Sequence, residues 1–318
     1  MSATYSLGTR KVDDVEVVTL RQAEDIFAEV APSLGHNCFA FRSGGPVLEE
    51  VPWATFAAKP TGFGFPILFP FPNRIRDGSF VFEGKTYHVD PPRHGMVRDK
   101  PWTIVDTGAS ESDGAFVAAS LASADFPETI LAQFPFPFVI EVTYRLRDGV
   151  LSMETVVRNS GPGNLPFGLG IHPYFHRGAN ATILAPANQR WELVDALPTG
   201  RKLELEGAYD LRQTRPLAGL ELDDIYTDLI ADASGRVECV LGDADSGRKI
   251  VVAWDAHPFP ELVLFTPPAG RMAFCIEPYT CPTDAFNLEA KGLDGNVEVL
   301  APGESKAYTI EVRAEGGS

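Results

Sequence analysis

The sequence predicts an all-β protein, one large antiparallel β-sandwich spanning residues 1–318 as a single domain. Three observations carry this expectation. Period-two alternation of apolar and polar residues dominates the chain, turn signals recur along its whole length, and helical periodicity is scarce. The clearest run is Phe138–Leu146, where Phe138, Ile140, Val142, Tyr144 and Leu146 share one face and Val139, Glu141, Thr143, Arg145 and Arg147 the other. Asp148-Gly149 then supplies a two-residue turn, and Leu151, Met153, Thr155 and Val157 resume the alternation, which together predict a hairpin.

Taken in order, Gln22–Val30 is expected to form a short helix ended by the Pro-Ser-Leu-Gly that follows. The Pro-rich stretches at 65–72 and 134–137 are flanked by Phe and predict packed loops. Phe80-Val-Phe82, Glu83-Gly84 and Lys85-Thr-Tyr87 predict a second, shorter hairpin. Further strands are expected at Lys249–Trp254, Glu261–Phe265, Val297–Leu300 and Tyr308–Val312, with turns at 243–247 and 301–304. No repeat of 20–50 residues and no long linker interrupts the series.

Composition narrows the function classes. Gly 29 and Pro 26 in 318 residues exceed a globular average and fit a turn-rich chain, while 44% apolar residues suffice for a large core. The net charge of −16 opposes binding to phosphate backbones or anionic membrane surfaces, so neither nucleic acid nor membrane is expected as a partner. No apolar run is long enough to span a bilayer, and the first residues lack the apolar region of a secretory leader. Four cysteines without a Cys-x-x-Cys pair agree with a reducing, cytoplasmic location.

Phosphate-binding glycine motifs and a nucleophile elbow are absent. Attention therefore falls on polar residues inside apolar, Gly/Pro-rich segments. His172 lies in Phe167-Gly-Leu-Gly-Ile-His-Pro-Tyr-Phe175, where it is either a desolvated reactive group or a hydrogen-bonded core histidine. Glu277 lies in Phe274-Cys-Ile-Glu-Pro278, and a carboxylate after an apolar strand is either used or held by an arginine. Arg74 in Asn73-Arg-Ile75, His94 near Arg93 and Arg98, and the pair Asp223-Asp224 are weaker signals, since loop charges are usually solvated. His172 and His176 are four apart, but Pro173 breaks any helix, and Cys275 and Cys281 are poorly spaced, so no metal centre is expected.

In these segments the chain resembles the aldose 1-epimerase (galactose mutarotase) family. The likeness runs in order through Phe69-Pro-Phe-Pro-Asn-Arg-Ile75, Arg93-His-Gly-Met-Val-Arg98, Phe134-Pro-Phe-Pro-Phe138, the His172 segment, Leu222–Leu229, and Phe274–Pro278 with Asp284-Ala-Phe-Asn287. The resemblance implies a twisted β-supersandwich with an open hexose cleft, and neither metal nor organic cofactor. It implies that Glu277 is the general base on the anomeric hydroxyl O1 and His172 the general acid on the ring oxygen O5. Arg74 and His94 match residues that hold sugar oxygens. Asp223, three residues before Tyr226, matches the carboxylate on distal hydroxyls, and alignment shifted by one gives Asp224.

The expected function is therefore anomer interconversion of a hexose, with a small sugar as partner and a monomer or homodimer as the assembly. A carboxylate and an imidazole can be ionised and protonated together between about 4.3 and 6.5. The carboxylate is expected to favour the imidazolium, and the two groups to stand about 5–7 Å apart across a sugar ring. Arg93 and Arg98 also suit a hexose 6-phosphate. A carbohydrate-binding protein without turnover is the alternative outside enzymes.

Overall fold

The structure is a computed structural model and describes residues 4–316. It opens with a four-stranded antiparallel meander, β1 (Ser6–Val12), β2 (Val15–Ala23), β3 (Ile26–Ala31) and β4 (Asn37–Ser43). Helix α1 (Trp53–Ala58), the short β5 (Ile67–Leu68) and the hairpin of β6 (Ser79–Phe82) and β7 (Lys85–His88) follow. Next come β8 (Thr103–Ser110), β9 (Gly114–Ala122), β10 (Phe138–Arg147) and β11 (Val150–Asn159). The middle of the chain supplies β12 (Leu165–Phe167), β13 (Gly170–Ile171), β14 (Tyr174–His176), β15 (Ala181–Leu184), β16 (Ala187–Val194), β17 (Leu197–Glu204) and β18 (Arg215–Pro216). The last third holds β19 (Asp223–Leu229), β20 (Arg236–Asp243), β21 (Lys249–Asp255), β22 (Glu261–Phe265), β23 (Ala273–Tyr279), helix α2 (Ala285–Ala290), β24 (Glu298–Leu300) and β25 (Ser305–Glu315).

Two large sheets dominate. One orders nine strands as β18-β15-β20-β21-β25-β11-β10-β9-β8, the other eight strands, seven ordered β17-β16-β19-β22-β23-β13-β5 with β14 also on β23. The apolar face read from β10 is the buried one: Phe138, Ile140, Val142, Tyr144 and Leu146 are all fully enclosed. They belong to one apolar cluster with Leu262, Leu264, Phe274 and Ile276 of the eight-stranded sheet. Each such side chain contributes roughly 1.5–3 kcal/mol by leaving water. The β10–β11 hairpin closes at Asp148-Gly149, where both residues have positive φ (49° and 76°), as a type I′ turn requires.

The alternation on β23 matters most for function. Phe274 and Ile276 enter the core between the sheets, so Cys275, Glu277 and Tyr279 face the other side. There Tyr279 packs with Leu68, Trp191, Ile225, Val263 and Leu288 in a separate apolar floor.

One expected element is overturned. Gln22–Val30 is not helical: it spans the end of β2, a turn, and most of β3. Val18 opposes Val30 and Leu20 opposes Ala28, and all four are buried, so cross-strand packing outweighs the helix propensity of the Ala and Glu residues between them. Among the described residues, no helix is long and apolar enough to cross a membrane.

Candidate active site

A cleft of about 490 Å³ opens on the face of the eight-stranded sheet that Glu277 occupies, with Arg93, His94, Arg98, His172, Tyr174 and Phe265 in its wall. That volume is in the range of small-molecule sites.

His172 follows β13, and its backbone N–H donates to the Pro66 carbonyl at 3.0 Å. Its ring stacks on Tyr174 at 4.8 Å between centroids and meets Phe265 edge-on at 5.8 Å. Gly170 lets β13 approach β23 closely: a Cβ there would lie 2.4 Å from the Tyr279 ring. This packing brings His172 Nδ1 to 3.3 Å from Glu277 Oε1. The expected separation of 5–7 Å is therefore wrong. O1 and O5 of a pyranose are both bonded to C1, so groups acting on them need neighbouring positions, not opposite sides of the ring. Nδ1 has ion-pair reach to Oε1 without a hydrogen-bond partner, and so keeps its capacity for a ligand.

Glu277 is 1% exposed, and among the described residues no arginine is bound to it in an ion pair. Its second oxygen, Oε2, accepts a 2.6 Å hydrogen bond from the Tyr279 hydroxyl. Burial pushes the carboxyl well above its ordinary range, opposed by Tyr279 and reinforced by the negative Asp223. Burial holds the His172 imidazole down at about 3, and Arg98, Arg93 and Arg271 add to that. The carboxylate was expected to favour the imidazolium; desolvation together with three guanidinium groups outweighs it.

Arg74 and His94 come from one loop system. The His94 N–H donates to the Asn73 carbonyl at 2.6 Å, and both residues sit in the left-handed region, with φ of 63° and 50°. Gly95 follows at φ 68°, where a Cβ would lie 2.2 Å from the Phe69 carbonyl oxygen. Asp284, fully buried, fixes this loop from across the chain: its N–H donates to the Arg74 carbonyl at 2.8 Å, and its carboxylate accepts from the Arg76 N–H at 2.8 Å and Nε at 3.2 Å. His94 is buried rather than exposed as a loop histidine would be. Its Nε2 accepts from Arg93 Nε at 2.9 Å, leaving Nδ1 as the proton-bearing nitrogen, unpartnered and 5.4 Å ring-to-ring from His172.

Asp223 and Asp224 part company. On β19, Asp223 shares a face with Ile225 of the apolar cluster around Tyr279 and is exposed, with Arg74 and Arg93 close enough to favour its charge. Asp224 shares the opposite face with Tyr226 of the inter-sheet core and pairs with Arg190 Nη1 at 3.2 Å.

Cys275 lies beside this pair: it, His172 and Glu277 offer donor atoms within 4.8 Å of one another. Burial keeps the Cys275 thiol protonated, and Oε2 of Glu277 is taken by Tyr279. Arg93 and Arg98 both line the cleft, as does Arg271, which is bound to Glu49. Sequence reasoning did not single out Tyr279, Phe265 or Lys59, the last of which also lines the cleft. Tyr279 was within reach, since it lies two residues beyond Glu277 on the same strand face; Lys59 carried no signal.

The family model for aldose 1-epimerase matches residues 42–313. The uncharacterized protein YihR of Escherichia coli is 25% identical over 235 residues, covering 70% of this chain and 71% of YihR. A galactose mutarotase-like protein from Clostridium acetobutylicum superposes with a TM-score of 0.88 at 20% identity, covering 98% of this chain and 99% of that one. The galactose 1-epimerase of Lactobacillus acidophilus gives 0.76 at 16% identity, with both chains fully covered. The fold is thus the galactose mutarotase-like sandwich, and the chain belongs to the aldose 1-epimerase family, which supports a mutarotase-like isomerase.

Proposed function

We propose that the protein is an aldose 1-epimerase that interconverts the α and β anomers of a hexose, with Glu277 and His172 as the acid–base pair. The observation that carries this reading is the 3.3 Å approach of His172 Nδ1 to Glu277 Oε1 beside an open cleft. Opening a hemiacetal needs one proton removed and one donated at adjacent oxygens. The pair can do both when it carries a single proton and that proton stands on His172, the form that the Tyr279 hydrogen bond to the carboxylate favours against the burial that draws the proton to Glu277. Glu277 takes the proton of the O1 hydroxyl, His172 gives one to O5, the C1–O5 bond breaks, and an aldehyde forms at C1. Rotation about C1–C2 presents the other face, and closure returns both protons by the reverse path. Arg74, His94 and Asp223 hold sugar hydroxyls, and Phe265 and Tyr174 supply apolar ring surface.

A second reading, a hexose 6-phosphate as substrate, is favoured by Arg93 and Arg98 both lining the cleft. Guanidinium groups bind phosphate in bidentate fashion.

Polarimetry of freshly dissolved α-glucose, α-galactose and glucose 6-phosphate decides between them. Acceleration over the buffer blank for the free sugars supports the first reading, and a preference for the phosphorylated sugar supports the second. No acceleration for any of the three sinks both.

A further inference from the structure

We infer that Tyr279 is a positioning residue for the base, holding Glu277 by its Oε2 oxygen so that Oε1 is the atom that takes the sugar's proton. This rests on the acid–base reading above.

Tyr279 is fully buried, and its hydroxyl donates to Glu277 Oε2 at 2.6 Å, a short, charge-assisted geometry. The ring cannot swing away. It is packed among Leu68, Trp191, Ile225, Val263 and Leu288, with β13 lying across it at Gly170. Its partner is equally fixed, because both side chains stand on the same face of one strand, two residues apart. Burial pushes the phenol well above its ordinary range, so it stays a donor whenever the enzyme works.

Two consequences follow. With Oε2 occupied, Oε1 is the free acceptor, and it is the oxygen that faces His172. A donor on the charged form also favours the carboxylate over the carboxyl, against the desolvation that this site imposes. The other groups facing Glu277 are Cys275 on its own strand, Asp223 of β19, His172 after β13, and Arg93 of the loop system. Among the described residues, Tyr279 is the one that hydrogen-bonds to the carboxylate.

The test is Tyr279→Phe, which removes the hydroxyl and keeps the ring. Difference infrared titration of the Glu277 carboxyl, assigned by its loss in Glu277→Gln, reads the base directly and without turnover. The midpoint should rise by about one to two units, the effect of losing one hydrogen bond to a charge. Mutarotation should lose about 10-fold or more in kcat with little change in KM. Fluorotyrosine at position 279 keeps the shape and strengthens the donor, so the midpoint should fall; this variant serves if Tyr279→Phe does not fold. An infrared midpoint unmoved by the change made at 279 overturns the inference. If the wild type turns over no sugar, the mutarotase reading fails while the titration still reports on Tyr279.

Discussion

Asp223 and Asp224 are neighbours in sequence and stand on opposite faces of one strand, the first on the face of Ile225 and the apolar cluster around Tyr279, the second paired with Arg190 at 3.2 Å. Their substitutions should therefore separate. Asp223→Asn should raise KM for the sugar about 10-fold, the loss of one charged hydrogen-bond acceptor, and leave thermal stability unchanged. Asp224→Asn should leave KM alone and lower stability by about 1–2 kcal/mol, because it strips the partner from a mostly buried guanidinium. Steady-state kinetics and thermal melts on both variants check this; equal KM effects would place neither carboxylate specifically on the sugar.

Glu277→Gln preserves shape but cannot accept a proton. Mutarotation should fall by about 10²–10⁴ with sugar binding nearly intact, and His172→Asn should do the same for the donor. Arg74→Lys should weaken binding and rate together, since an ammonium does not reproduce the planar fork. Retention of most activity in Glu277→Gln would move the base to Asp223.

The pH profile follows from the pair's directions. Below the lower step both groups are protonated and no base remains; above the upper step neither is, and no acid remains. With His172 held at about 3, the acid limb should lie below the 6.5 of an ordinary histidine. With Glu277 pushed up, the alkaline limb should lie above the ordinary carboxylate value of 4.5. A pH series of kcat/KM, corrected for buffer catalysis, should show no drop between pH 6.5 and 5. A limb centred near 6.5 on the acid side would contradict this.

Arg93→Ala and Arg98→Ala test the anionic substrate. Each should raise KM for glucose 6-phosphate by about 10–100-fold while changing KM for glucose little, given the strength of charged hydrogen bonds. Equal effects on both sugars would remove the phosphate reading.

Glu261 offers a prediction about stability alone. It is fully buried on β22, accepts from Trp191 Nε1 at 2.9 Å and Thr227 Oγ1 at 3.2 Å, and burial pushes its carboxyl to about 8. Between an unfolded value of 4.5 and about 8, the native state keeps a proton that the unfolded chain has released. Its contribution is thus fully present below the unfolded value and lost as pH rises, by up to about 1.4 kcal/mol per unit. Chemical denaturation of Glu261→Gln should show a flatter decline from pH 5 to pH 8 than the wild type; parallel curves would reject the assignment.

Much of this was legible because the information is local. The β10–β11 hairpin announces itself by alternation and by Asp148-Gly149, and both hold in the structure. Gln22–Val30 misleads because its fate depends on partners: Val18 and Leu20 are buried by facing β3, which nine residues taken alone do not reveal. His94 reads as an exposed loop residue because it is hydrogen-bonded to the Asn73–Arg74 loop, which Asp284 latches at Arg76 from 208 positions away, a distance no local pattern encodes. The choice between Asp223 and Asp224 is different. Strand parity places them on opposite faces, but the start of β19 has to be known before parity can be counted.

Chain order gives these long-range contacts a temporal meaning. Arg76 meets Asp284 across 208 residues, and β25, the last strand, lies between β21 and β11 in the middle of the nine-stranded sheet. During synthesis, the ribosome delivers β11 long before β25 exists, so the edge of β11 that does not pair with β10 waits unpaired. A nascent chain short of β23 and Asp284 has neither the base proposed above nor the latch on its arginine loop. The proposed acid–base pair can assemble only once β23 has been made, and the waiting strand edge is where chaperones or misassociation would act.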